Sequence, residues 1–300
     1  MTNYLHKVLP PQYSHVNKVY CLLAATVFCA LPLCSTEAAA ENILKYDGTT
    51  NIHGNAKTWA AKNEYDGIDI RVTGVDGGYY TDTTEALVLN NQTLNVKGKG
   101  KFVSIINTAQ NKQIDNNGGI YAKGGSTVNF TDVDSIYIAA IAGKEGGNDS
   151  TVISAKDPGR DFKGYTNIVN ISGNTVQLIG SIDVMHSLGS VFFNRNARHT
   201  VNAALSGSDS FWYGSAIGET DERTTVNLSL ADGATWIFNA GKSTLNAGGI
   251  IRNLKLDKGV VLFADAEVWE TYRKTVIKGT DYVLAVSYTH LRAHETRRHL

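Results

Sequence analysis

Past its first forty positions the chain has no cysteine, because Cys21, Cys29 and Cys34 all lie before Ala40. Disulfides and thiolate metal sites are therefore excluded from the remainder, and a small stapled scaffold is excluded with them. Proline is scarce, and residues 41–285 hold no long helix-forming stretch. The apolar segment Tyr20 to Leu33 is only about 14 residues, where a membrane span needs about 20. An excess of charge is missing too: 28 basic residues meet 28 acidic ones, and residues 41–285 carry 23 against 26. Nucleic acid is thus not an expected partner. Stability has to come from burial along more than two hundred residues, which is ample for a core.

The two ends read differently from the middle. Lys7 and Lys18 precede the apolar segment, and Ser35, Thr36 and Ala38-Ala39-Ala40 follow it. That is the layout of a secretory signal peptide, extended at its N-terminus, with cleavage expected after Ala40. Lipid modification at Cys34 is disfavoured by the bulky Leu31-Pro32-Leu33, and Pro32 argues against a retained anchor. At the other end, residues 286–300 read VSYTHLRAHETRRHL, with three arginines and three histidines. The phrase SYTHLRAHET closely resembles a translated sequencing-library adapter, which makes 286–300 a non-native tail and the natural chain a longer one. The competing reading is a metal site from His290, His294 and His299, the first two on one helix face.

Between the ends, short runs alternating apolar and polar recur, separated by Asn, Asp or Gly. Examples are Thr93-Leu94-Asn95-Val96, Thr127-Val128-Asn129-Phe130 and Thr225-Val226-Asn227-Leu228. Three segments superpose: TNIVNISGNTVQLIG (166–180), TTVNLSLADGATWIFNAG (224–241) and IIRNLKLDKGVVLFAD (250–265). Each reads as strand, short turn at Gly173, Gly233 or Gly259, and strand, glycine supplying positive φ. Ordinary hairpins in a β-sandwich would give this pattern. The monotony of strand length, with Asn and Gly expected at recurrent corners, favours a solenoid. Coils of about 20 to 25 residues would make roughly ten rungs, a rod of about 50 Å.

TTVNLSLADGATWIFNAG followed by STLNAGGIIRNLKLDKGVVLFAD resembles the C-terminal rungs of bacterial autotransporter passenger domains of the pertactin-like kind. The likeness is strong over about forty residues and one of style over 41–285. It implies an all-β, right-handed, single-stranded parallel β-helix (β-solenoid) over residues 41–285. It also implies export through the inner membrane and display at the outer membrane by a C-terminal β-barrel. Nothing after Phe263 supplies the barrel's strands, in keeping with truncation, and Tyr272 to Leu284 is expected as a final rung or as the start of the region that the family uses to nucleate passenger folding. The implied role is an adhesin or interaction rod whose partner is a host or neighbouring-cell surface protein or glycan, with a structural spacer, which needs no site, as an alternative.

Catalytic signals are thin. Ser206-Gly207-Ser208-Asp209-Ser210 has the wrong order for the serine-protease phrase, and His53, His186 and His199 sit in no base-forming motif. Asp132 with Asp134, or Asp66 with Asp69, are the pairs weighed as acid and base of a glycan-cleaving β-helix; turn or edge acids are the plainer reading. Gly98-Lys99-Gly100-Lys101 reads as a turn rather than a phosphate loop. The glycine pairs at 118–119 and 124–125 lack the aspartates of calcium repeats, and the sequons at Asn91, Asn129, Asn148, Asn170 and Asn227 are what this composition yields by chance. No catalytic residue, cofactor or metal is expected. The candidate ligand contacts are aromatic: Phe211-Trp212-Tyr213 and Tyr79-Tyr80. The alternative is that alternate members fill the core. Gly143 to Gly164 reads as a charged loop emerging from the rod, a second place for a partner.

Overall fold

The structure, a computed structural model, describes residues 42–50, 62–74, 84–109, 117–141, 150–156, 164–184, 196–218, 223–238 and 251–263. All of them fall inside one compact unit, Asn42–Val283. The leader, Tyr79, Tyr80, His53, His186, the 272–284 segment and the histidine tail lie outside the described residues.

No helix occurs among the described residues; the strands sort into three faces. The first face collects β4 (Thr93–Lys97), the leading part of β7 (Thr127–Ile141), the leading part of β9 (Thr166–Ile179), β11 (Arg198–Ser206), β14 (Thr224–Ala231) and β16 (Asn253–Asp257). The second holds β1 (Ile43–Thr50), β2 (Gly67–Gly74), β5 (Phe102–Ala109), the trailing parts of β7 and β9, β12 (Phe211–Gly214), β15 (Thr235–Phe238) and β17 (Val260–Phe263). The third is β3 (Thr84–Asn90), β6 (Asn117–Lys123), β8 (Thr151–Ala155), β10 (Ser181–Asp183) and β13 (Ala216–Ile217).

Every strand pair is parallel, and the chain visits the three faces in turn before pairing with its own previous circuit. That makes the fold an all-β parallel β-helix and rules out the hairpin sandwich. A hairpin would pair strand with next strand antiparallel; here 166–179 stacks on β11 and β12, these on 224–238, and those in turn on 253–263.

The coil is coarser than the sequence rhythm implies. Ile43 lies 24 residues before its partner Gly67, but Thr127 lies 41 before Ile168. Eight strands stack on the second face, so the seven steps between them span about 34 Å at ~4.8 Å each. Among the described residues the turns number fewer than the expected ten because circuits of 24 to 41 residues are mostly longer than the 20 to 25 assumed.

Alternation builds the core. On the first face Leu94, Val128, Val169, Val201 and Val226 stack inward, with Val96, Phe130, Ile171, Ala203 and Leu228 beside them, all buried. Burying each large aliphatic side chain stabilises by about 1.5–3 kcal/mol. Inside the second face the rings of Trp212 and Trp236 stack at 5.1 Å with a 7° tilt, and Phe238 meets Trp236 edge-on at 5.4 Å. Each indole N–H is satisfied: Trp212 Nε1 donates to Gly180 O (2.9 Å) and Trp236 Nε1 to Gly214 O (3.1 Å). Gly214 is dictated by space, since a Cβ there would sit 2.1 Å from Gly180 O.

The corners correct one expectation. Of the three turn glycines only Gly233 has positive φ (90°). Asp132, Asp232 and Lys258 take left-handed φ of 52–59° at the corresponding bends. Gly173 and Gly259 are needed for close approach instead, as a Cβ would meet Val133 O at 2.8 Å and Leu230 Cβ at 2.3 Å. The Gly98–Lys101 phrase is the turn between β4 and β5.

Candidate functional site

Two outward rows cross the second face from turn to turn. One runs Lys45, Asp69, Ser104, Tyr137, Gln177, Phe211, Thr235, Val260; its neighbour runs Asp47, Arg71, Ile106, Ala139, Ile179, Tyr213, Ile237, Leu262. Both begin with charges, Asp69 and Arg71 forming an ion pair at 3.4 Å. From Tyr137 and Ala139 onward both are uncharged, Ala139 itself being fully buried. Phe211, Tyr213, Ile179, Ile237, Val260 and Leu262 are each half-buried, so one side of each stays open to solvent. Burial raises the Tyr137 phenol above its ordinary range of about 10.

The aromatic cluster therefore divides. Strand alternation puts Phe211 and Tyr213 outside and sends Trp212, fully buried, against Trp236. Trp212 is a core residue and not a ligand contact. A three-residue aromatic run on a strand can present at most its alternate members. The 143–164 loop is corrected as well: Thr151–Ala155 within it is β8, and Lys156 pairs with Asp183 of β10. Its other charged residues, from Lys144 to Asp149 and Asp157 to Asp161, lie outside the described residues.

The first face carries a feature that single-residue reading missed. Asn95, Asn129, Asn170, Asn202, Asn227 and Asn253 occupy one outward row, all but Asn253, which opens β16, lying mid-strand rather than at the corners. Each Nδ2 donates to the Oδ1 of the previous turn, at 2.9 Å for Asn129 to Asn95 and 2.6–2.7 Å thereafter. Asn95 closes the chain on the Asn63 carbonyl at 3.1 Å. The sequon asparagines 129, 170 and 227 are thereby engaged as ladder rungs. The recurrent Thr-Val-Asn phrase was the available signal, its meaning hidden until the phrases are stacked.

Beside this ladder, where the first face bends into the second, runs an open groove of about 430 Å³. Five successive turns line it: Gly98 and Lys99, then Asp132, then Ser172 to Asn174, then Ala204 to Ser206, then Ser229 and Ala231.

Of the carboxylates weighed as catalysts, Asp66, Asp69 and Asp134 hold structural contacts, while Asp132 is exposed and is engaged through its backbone. Asp134 accepts from Gly100 N (3.0 Å) and Asn174 Nδ2 (3.3 Å), while Asp132 sits at a bend with its N–H on Ser172 Oγ (3.2 Å). Asp66 is paired with Lys101 and accepts from Asn42 N (2.9 Å). The Lys101 hydrogen bond, aided by that amide, holds the Asp66 carboxyl below its usual range. His199 is fully buried beside Asn167, their Nδ1 and Nδ2 atoms 3.2 Å apart. Asn167 Oδ1 in turn accepts from the backbone of Gly125 and Ser126 at 3.0 Å. This is a buried structural histidine.

No family model, curated protein or solved structure matches the chain. The functional argument therefore rests on geometry.

Proposed function

We propose that this chain is a surface-displayed adhesion or interaction rod, in line with its resemblance to autotransporter passengers. The observation that carries the reading is the uncharged aromatic and aliphatic strip on the outer side of the second face. Monomeric proteins rarely leave contiguous apolar area open, and where they do it marks a contact surface. Here the coil behind it fixes Phe211 and Tyr213 on backbone hydrogen-bonded on both sides, so a partner meets ordered side chains. A host or neighbouring-cell surface supplies the partner, and a translocating β-barrel supplies the display. The alternative of a glycan-cleaving enzyme is the weaker one because each weighed pair has a carboxylate already engaged, Asp66 by Lys101 and Asp134 by the Gly100 amide.

Beads coated with the full chain test this. They are expected to bind epithelial or bacterial cells above an albumin control. Phe211→Ala with Tyr213→Ala is expected to cut capture at least fivefold while thermal unfolding stays within a few degrees. Equal capture by the double variant overturns the assignment of the strip.

A further inference from the structure

We infer that the groove at the bend between the first and second faces is a binding site for a linear, uncharged polysaccharide lying along the coil axis. The inference rests on the adhesion reading and names a ligand class for it. Its lining is short and mixed, apolar over the larger part: Ser172, Ser206 and Ser229 bring hydroxyls and Asn174 an amide, while Gly98, Gly173, Ala204 and Ala231 leave a low apolar floor against which the C–H face of a sugar can lie. Lys99 and Asp132, of opposite sign, are the charged lining groups, so the trough favours neither anion nor cation. Because the lining comes from five consecutive turns, the groove crosses the strands, and its polar groups repeat at ~4.8 Å. That interval is comparable to the advance of one sugar unit in an extended chain.

The asparagine ladder adds a second, independent element. Asn170, Asn202 and Asn227 stand two residues before Ser172, Ala204 and Ser229 on the same outward side. A primary amide offers two donors and two acceptor sites. The ladder uses one of each, with every amide oriented the same way. One donor and one acceptor per turn are left facing out, locked in orientation before any ligand arrives. A polymer presenting a hydroxyl pair per unit matches that array, and prior ordering of the amides lowers the entropic cost of binding. The Thr127, Thr200 and Thr225 hydroxyls continue the array along the same strands, with Ile168 between them.

Isothermal titration of the full chain with cellohexaose, laminarihexaose and mannohexaose, against hexagalacturonate as the acidic control, decides the matter. At least one neutral hexasaccharide is expected to bind, and Ala204→Trp, which fills the groove from an exposed position, is expected to weaken it at least tenfold. Ser229→Trp is the second blocking variant should the first unfold at lower temperature. Lys45→Ala, at an exposed site on β1 outside the groove, is expected to leave the titration unchanged, and Phe211→Ala with Tyr213→Ala is titrated beside it. No binding by any neutral hexasaccharide, tighter binding of hexagalacturonate, or a loss that follows the aromatic pair and not the groove overturns the inference. If coated beads still capture cells in those cases, adhesion stands without the groove. Sugar binding that Ala204→Trp abolishes, with no cell capture, supports the groove and sinks the adhesion reading.

Discussion

Asn170 is the position where the ladder can be weighed most directly. It donates to Asn129 Oδ1 and accepts from Asn202 Nδ2, both at 2.7 Å. Asn170→Ala removes two hydrogen bonds, and at about 0.5–1.5 kcal/mol each the loss comes to roughly 1–3 kcal/mol. Asn253 donates one ladder bond from an exposed site at the described end of the row, so Asn253→Ala should cost about half as much. The shared Asn170–Asn202 bond can be lost only once. The double alanine variant should therefore be less destabilised than the sum of the singles by about 1 kcal/mol. Asn170→Asp adds a pH signature: at neutral pH the carboxylate has no proton for Asn129 Oδ1, and below the ordinary carboxylate range of about 4 the acid regains a donor. The native site favours the protonated form, so the folded pKa of the new acid is raised and the deficit should shrink as pH falls through it. Urea unfolding followed by tryptophan fluorescence and far-UV circular dichroism, at pH 7 and pH 3, measures all of this. Coincident transitions of the two probes justify the free energies. Strict additivity in the double variant, or an Asn170→Ala cost no larger than that of Asn253→Ala, would refute the ladder as a coupled row.

Three further outcomes follow from other parts of the fold. Trp212→Ala deletes a fully buried ring stacked on Trp236 and should cost about 3–5 kcal/mol in urea melts, whereas Phe211→Ala and Tyr213→Ala should each stay within about 1 kcal/mol of wild type. Gly214→Ala forces a Cβ into Gly180 O and should lower stability by about 1–3 kcal/mol or more, visible as a drop of several degrees in the melting temperature. Burial raises the Tyr137 phenol, so stability it contributes is whole below about pH 10 and lost as pH rises through the folded value; ultraviolet titration of wild type against Tyr137→Phe should show one late phenol missing in the variant.

The strands that were legible in the sequence are those with one wet side. In β4, β7, β9, β14 and β15 every second residue faces water, and the apolar-polar alternation is plain. On the third face the apolar run Ala86–Leu89 reads as a strand and is β3, but the rest hid itself. β8 and β10 are buried almost throughout, including Ser154 and Asp183, and β6 opens on Gly118-Gly119. A short strand covered on both sides gives no period of two. β12 was hidden for the opposite reason, its three adjacent aromatics reading as a surface cluster until the pleat separates Trp212 from its neighbours. The groove and the ladder were illegible because both are properties of stacking: their members lie 25 to 41 residues apart along the chain.

That unequal spacing has an engineering meaning. Asn202 pairs with Asn227 after 25 residues and Asn129 with Asn170 after 41, yet both pairs close the same amide contact. The frame thus tolerates sixteen additional residues in a single circuit without losing alignment on either side of them. A foreign peptide spliced between β14 and the next strand of its face, where the circuit is short, should leave the neighbouring turns undisturbed and be carried at a fixed height along the stack. The coil is, in that sense, a ruler with adjustable tabs.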